Sequence, residues 1–278
     1  MLVWLLDLGV IGGALVKLLI EIAVLIYLWS ILRKICVVKL QYIRPIPQEI
    51  IKKGITYSLA LFILSLNYRI DIIFLENLTT ASEVGIYTVG TTLAELIWQL
   101  PAAISLVLFS KSANSRSDEE AYGRASRILR ISLPILLIVC LIFAMLSEFF
   151  VTLIYGTEFE QSAEVINILL PGVLVITITK ILHPDMAARG YPLYGLLAFI
   201  GPLIINILLN LIWIPKYGVI GAAWASSISY IIGGLLYAVI YAKKEKLRVK
   251  ELLFLKKEDI TLIMKFVNNT KQGINRTC

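Results

Sequence analysis

The feature that most constrains this chain is a series of long apolar runs. A helix crossing the ~30 Å hydrocarbon core of a bilayer needs about 20 mostly apolar residues. The sequence offers seven such runs: about Val10–Leu32, Gly54–Leu75, Val84–Phe109, Ile128–Ser147, Glu164–His183, Leu193–Trp213 and Val219–Tyr241. Pro171 and Gly172 interrupt the fifth, which makes it the weakest of the series. Composition agrees, since 59% of the 278 residues are hydrophobic and 16% charged, against about 45–50% and about 25% in soluble domains. Such a chain has too little polar surface to enclose a soluble core, which excludes a soluble enzyme, and too many apolar residues for disorder. The expected fold class is all-α, a polytopic membrane protein of about seven transmembrane helices.

The net charge of +7 gains meaning from its placement. Arg33, Lys34, Lys39, Arg44, Lys52 and Lys53 separate the first two runs. Lys111, Arg116 and Arg124 separate the third and fourth, and Lys243, Lys244, Lys246, Arg248 and Lys250 follow the seventh. The alternate loops Glu76–Glu83 and Glu148–Ala163 hold no Lys or Arg. By the positive-inside rule the basic loops and the C-terminus face the cytoplasm of a cell membrane. Basic residues distributed between apolar runs give no nucleic-acid-binding face. The tail Val249–Phe266 mixes apolar and basic residues and fits either an amphipathic helix on an anionic leaflet or a solvated segment. Three expected units follow: residues 1–53, a single helix and basic linker; 54–242, a six-helix lobe; and 243–278, a basic tail.

Cys36, Cys140 and Cys278 lie far apart, and His183 is the single histidine. No zinc motif or disulfide framework is expected, and neither a metal nor a cofactor.

Ionisable side chains inside a span are costly, and they face a bundle interior or a wet cavity. Arg69 and Asp71, beside Asn67, are two residues apart and point to different sides of a helix, so each needs its own partner. Glu95 lies at a depth similar to Arg69, which makes an Arg69–Glu95 pair plausible; a protonatable carboxylate is the other reading. Lys17 and Glu21, four apart, share a face and are expected to neutralise each other. Lys180 and His183 read as interfacial. Pro101, Pro171 and Pro202 can kink their helices. Small residues in Gly218–Ser229 permit close helix packing.

The polysaccharide flippases of the multidrug/oligosaccharidyl-lipid/polysaccharide exporter (MOP) superfamily share several of these features. The resemblance is carried by Arg69-Ile-Asp71, Glu83-Val-Gly-Ile-Tyr87, Leu93-Ala-Glu95 with Pro101, and Tyr155-Gly-Thr-Glu-Phe159. It continues through Ile168-Leu-Leu-Pro-Gly172, Ala187-Ala-Arg-Gly190, Asn206-Ile-Leu-Leu-Asn210, Ile214-Pro-Lys-Tyr-Gly218 and Gly221-Ala-Ala-Trp-Ala-Ser226. Members typically have twelve to fourteen spans in two lobes around a central cavity. The present chain looks like the sixth span plus a second, MATE-like lobe, so the resemblance implies the C-terminal part of a larger or split flippase, completed by a separate N-terminal lobe. It implies transport of a lipid-linked oligosaccharide of the undecaprenyl-diphosphate type by alternating access, with Asp71 or Glu95 as a proton or sodium coupling group. Arg69, Asp71, Glu95, Asn67, Lys17 and Glu21 are the cavity or coupling candidates. A membrane-embedded glycan polymerase or glycosyltransferase, or a non-transporting scaffold, is the alternative.

Overall fold

The structure, a computed structural model, describes residues 9–35, 45–261 and 264. Lys39 and Arg44 of the expected basic linker, and the tail beyond Met264, lie outside them. The regular structure among the described residues is all helical, without strands. They divide into two compact units, Met1–Ile51 and Lys52–Cys278.

The first unit holds α1 (Gly9–Ile35). Lys17 and Glu21 are both exposed on it, and no ion pair joins them among the described residues, contrary to expectation. The reason is energetic. An exposed (i, i+4) pair is worth only a few tenths of a kcal/mol, comparable to the entropy of holding two long side chains in one geometry.

The second unit holds most of α2 (Pro45–Leu78), then α3 (Ala81–Glu95), a 3₁₀ turn Leu96–Trp98, α4 (Gln99–Ala113), α5 (Asp118–Tyr155), α6 (Gln161–Ala188), α7 (Leu193–Lys244) and a short α8 (Val249–Leu253). Helix starts are written locally. Thr80 caps α3 by accepting the Glu83 N–H, and Ser117 caps α5 by accepting that of Glu120. Each Ser/Thr followed three residues later by Glu satisfies an orphan donor. Asp118, Glu119 and Glu120 complement the α5 dipole.

The 52 helical residues of α7 are two spans. Gly218 adopts φ 54°, ψ −132°, left-handed backbone that glycine tolerates. The two arms then run back along each other. The Ser229 hydroxyl donates to the Pro202 carbonyl at 2.9 Å, Asn206 Nδ2 lies 3.4 Å from Ser226 Oγ, and Gly221 packs on the Trp213 carbonyl. Partner numbers fall on one arm as they rise on the other, so the arms are antiparallel. Counting both, the described residues hold seven membrane-length helices, as expected.

Helix α6 is the axis of the lobe. It runs parallel to α3–α4 in a fixed register. Ser162 Oγ donates to the Ile86 carbonyl, Trp98 Nε1 to that of Val173, Ser105 Oγ to that of Lys180 and Ser112 Oγ to the Asp185 carboxylate, with sequence separations of 76, 75, 75 and 73. The register survives the 3₁₀ turn. Its other side meets the second arm of α7, where Gly172 abuts the Ser227 backbone and Gly234 that of Val175. Small residues thus let the backbones approach closely, the main source of helix association in lipid.

Pro171 and Gly172 do not interrupt α6, which is continuous and the most buried span. A proline deep in a bundle is tolerated when neighbours satisfy the freed backbone groups. Pro184 shows how: it removes the helical donor to the Lys180 carbonyl, and the Ser105 hydroxyl lies 2.6 Å from that oxygen.

The end of the bundle holding the tail is tied by charge. Arg189 pairs with Asp185 (2.7 Å), Glu245 (2.9 Å) and Asp118 (3.5 Å), joining the ends of α5, α6 and α7. Over its described residues the tail is neither one unbroken helix nor free. Leu252 is fully buried, and Asp259 receives both Nε (2.6 Å) and Nη2 (3.1 Å) of Arg130 on α5.

Candidate functional site

Two polar groupings lie at membrane depth in the α2–α3 region. The first is exposed. Arg69 Nη2 donates to Glu95 Oε2 at 3.1 Å, joining α2 to α3, with the two side chains 54% and 22% exposed. Glu95 ends α3 at the 3₁₀ turn. It continues a stripe of exposed Thr88, Thr92 and Gln99, spaced by three or four residues and therefore on one face. Ser65 leads to Arg69 in the same way along α2, and Ser58 lies two turns earlier, with Leu61 and Phe62 exposed between them. Helix α5 is the opposite case, presenting Leu137, Leu141, Met145 and Phe149 outward. One face of the lobe therefore carries a polar stripe, beside exposed Leu96 and Leu100, and the exposed face of α5 is apolar.

Lys180 belongs to the polar face and is not interfacial. Its ammonium sits 3.9 Å from the Trp98 ring centroid and 4.5 Å from that of Tyr68. Tyr230 closes the aromatic group, 5.5 Å from Tyr68 and 5.8 Å from Trp98. Cation–π contact holds a charge where water is scarce, and Glu95 lies within electrostatic range. His183 is also not interfacial. It is buried against Tyr57, Phe199 and Tyr237.

The second grouping is buried. Asp71, 1% exposed, accepts from the Tyr87 hydroxyl, from Ser226 Oγ at 2.7 Å and from its neighbour's Ile72 N–H at 3.0 Å. Asn67 Nδ2 donates to Ser229 Oγ at 3.1 Å. Asn210 Nδ2 donates to Asn206 Oδ1 at 2.6 Å, and Asn210 Oδ1 is buried without a partner. No cationic side chain pairs with Asp71 among the described residues. A buried carboxylate surrounded by neutral hydroxyls and amides can exchange a proton or hold a small cation, because nothing neutralises it permanently.

Of the six candidates, the structure brings Arg69 and Glu95 together on the exposed face, and Asp71 and Asn67 together in the buried network. Lys17 and Glu21 lie on α1 in the other unit. Sequence reasoning missed Tyr87, Asn206, Ser226, Ser229 and Lys180 as site residues. Asn206 and Asn210 had a legible signal, two amides four apart in an apolar run; hydroxyls such as Ser226 read as small packing residues.

The all-helical lobe shares its fold with solved transporters of the MOP superfamily. The fold matches an outward-facing multidrug resistance MATE family transporter of that superfamily, with a TM-score of 0.59 and 19% identity over 76% of this chain and 49% of that one. It also matches a MOP superfamily transporter from Pyrococcus furiosus, with a TM-score of 0.56 and 20% identity over 76% and 47%. Residues 3–164 match the family described as "Polysaccharide biosynthesis protein". The chain belongs to this family of polysaccharide biosynthesis membrane proteins. It is 24% identical over 171 residues to a Haloferax volcanii protein named as a low-salt glycan biosynthesis flippase, covering 60% of this chain and 36% of that protein. It is also 24% identical over 174 residues to a Shigella flexneri protein named as an O-antigen transporter, covering 62% and 42%. The chain thus spans less than half the length of these relatives.

Proposed function

We propose that this chain forms the C-terminal lobe of a flippase that moves a lipid-linked oligosaccharide, of the undecaprenyl-diphosphate type, across the cytoplasmic membrane. The basic loops and C-terminus lie on the cytoplasmic side. The observation that carries the reading is the exposed polar stripe at mid-membrane depth, centred on Arg69 and Glu95. Polar groups facing hydrocarbon would go unsatisfied, so this face lines water, with a second lobe opposite. Moving sugars and a diphosphate through bare hydrocarbon would strip their hydrogen bonds; the stripe replaces them. Arg69 and Lys180 supply two cations against the Glu95 carboxylate, a balance suited to an anionic headgroup. The lipid tail stays in the bilayer while the lobes rock to expose the site to each side in turn.

Asp71 is the coupling group in this scheme. A cation or proton bound there changes the charge of a network spanning α2, α3 and both arms of α7, and so biases the arrangement of these helices.

The reading is tested by thiol accessibility in the full chain in native membranes, in a background without Cys36, Cys140 and Cys278. A membrane-impermeant charged methanethiosulfonate reagent should label Thr92→Cys and Gln99→Cys, and leave Leu141→Cys unlabelled. Equal protection of all three would overturn the cavity.

A further inference from the structure

We propose that the tail-side end of the lobe carries a binding site for one anionic glycerophospholipid, built jointly by α5, α6, the second arm of α7 and the docked tail. An apolar groove of about 380 Å³ opens there. It is lined by Leu133, Pro134 and Leu137 of α5, Ile178 of α6, Leu235 of the second arm of α7 and Leu255 of the tail. The groove is continuous with the apolar face of α5, where Leu137 and Leu141 are exposed, so the material that reaches it is an acyl chain.

The rim supplies the charge. Arg130 lies at the groove and is consumed by its two hydrogen bonds to Asp259. Arg127 is not: its Nε sits 3.7 Å from Asp259 and its side chain is 47% exposed. Lys256 and Lys257 are exposed beside it in the tail. Residues 248–259 hold four basic and three acidic side chains, and Arg127 and Arg130 raise the local excess to three. Phe254, 67% exposed, and Leu255 immediately precede Lys256 and Lys257, the pairing of apolar and basic groups that suits a bilayer interface.

Docking fixes the arrangement. The Asp259 carboxylate also accepts the Lys256 N–H at 3.0 Å, and Arg130 Nη1 donates to the Glu251 carbonyl at 2.9 Å. The tail backbone is therefore pinned, and exposed Lys256 and Lys257 directly follow Leu255 of the groove lining. Neutral lipid would fill the groove equally well; the excess positive charge selects an anionic headgroup. The site concerns residues away from the polar face and does not depend on transport.

The test uses the full chain purified in detergent. Native mass spectrometry would follow retention of phosphatidylglycerol and phosphatidylcholine of matched chains, with glycerol 3-phosphate as a headgroup-only probe. A basic residue at an anionic surface contributes about fivefold to binding. The wild type should therefore retain phosphatidylglycerol over phosphatidylcholine by at least about fivefold and ignore glycerol 3-phosphate. The surface triple variant Arg127→Gln, Lys256→Gln, Lys257→Gln should bring the two lipids to parity at an unchanged lipid-free melting temperature. Leu137→Trp, which fills the groove, should lose both lipids. Equal retention of the two lipids by the wild type, or an undiminished preference in the triple variant, would overturn the proposal. Should Leu137→Trp fail to fold, the triple variant still decides.

Discussion

Arg69 turns its guanidinium to Glu95 on the neighbouring helix, 3.1 Å away, and not to Asp71 two residues along its own. The helix dictates this, because positions two apart diverge. Arg69 is half-exposed, and an exposed pair adds about 0–1 kcal/mol. Arg69→Gln and Glu95→Gln should therefore change the melting temperature little. If Arg69 binds cargo, losing a charge-assisted hydrogen bond of about 1.5–3 kcal/mol lowers export of lipid-linked sugar roughly 10- to 100-fold. Export at wild-type levels in Arg69→Gln, with normal membrane insertion, would remove the residue from the cavity.

Asp71 carries the opposite prediction. Asp71→Asn keeps an oxygen for the Tyr87 and Ser226 hydroxyls, so the fold should hold; if Asp71 couples a cation to transport as proposed, that cation dependence should disappear. Asp71→Leu leaves both hydroxyls buried without their acceptor, at about 1–3 kcal/mol per group. Thermal unfolding should separate the two variants clearly. Equal stabilities would show that the network contributes little.

The close contact of α6 with the last span gives a third prediction. A Cβ on Gly172 would fall 2.8 Å from Ser227 Cα, a backbone atom that cannot yield. Gly172→Ala should cost about 1–3 kcal/mol of overpacking, whereas Gly201→Ala, with nothing nearby, should be neutral or stabilising. Melting temperatures of the two variants check this.

Much of the fold was legible in the sequence because bilayer thickness sets one length for every span. Val219–Tyr241 and Leu193–Trp213 could be separated by hydropathy and by Pro215 and Gly218. The continuity of α6 was not legible. Pro171 reads as a break by local rules, and only the packing of α6 against its neighbours, with Gly172 abutting the Ser227 backbone and Trp98 donating to the Val173 carbonyl, shows why the helix persists. The site divided the same way. Depth alone suggested Arg69 beside Glu95, since both lie on adjacent spans of a hairpin. The partners of Asp71 come from the last span, with Ser226 separated from it by 155 residues, and no local pattern marks a serine as an acceptor's partner. Lys180 was misplaced because a lysine near a span end ordinarily snorkels to the interface; the rings of Trp98 and Tyr68 hold it inside.

The tail offers a prediction in pH. Hydrogen bonds from Arg130 hold the Asp259 carboxyl below its ordinary value of 3.8; burial opposes them, and the Lys256 N–H and Arg127 add to them. A carboxyl whose pKa is lower folded than unfolded stabilises the folded form above the unfolded value, and that contribution is lost as pH falls through the folded one. Docking should therefore be at full strength from neutral pH down to about 5 and weaken only in stronger acid. Amide hydrogen exchange across 249–259, corrected for intrinsic rates, should show constant protection over the upper range. In Asp259→Asn the protection should already be reduced across that upper range, because the neutral amide keeps the shape but not the charge that Arg130 requires. A loss of protection in the wild type centred near neutral pH would mean that a group other than Asp259 holds the tail.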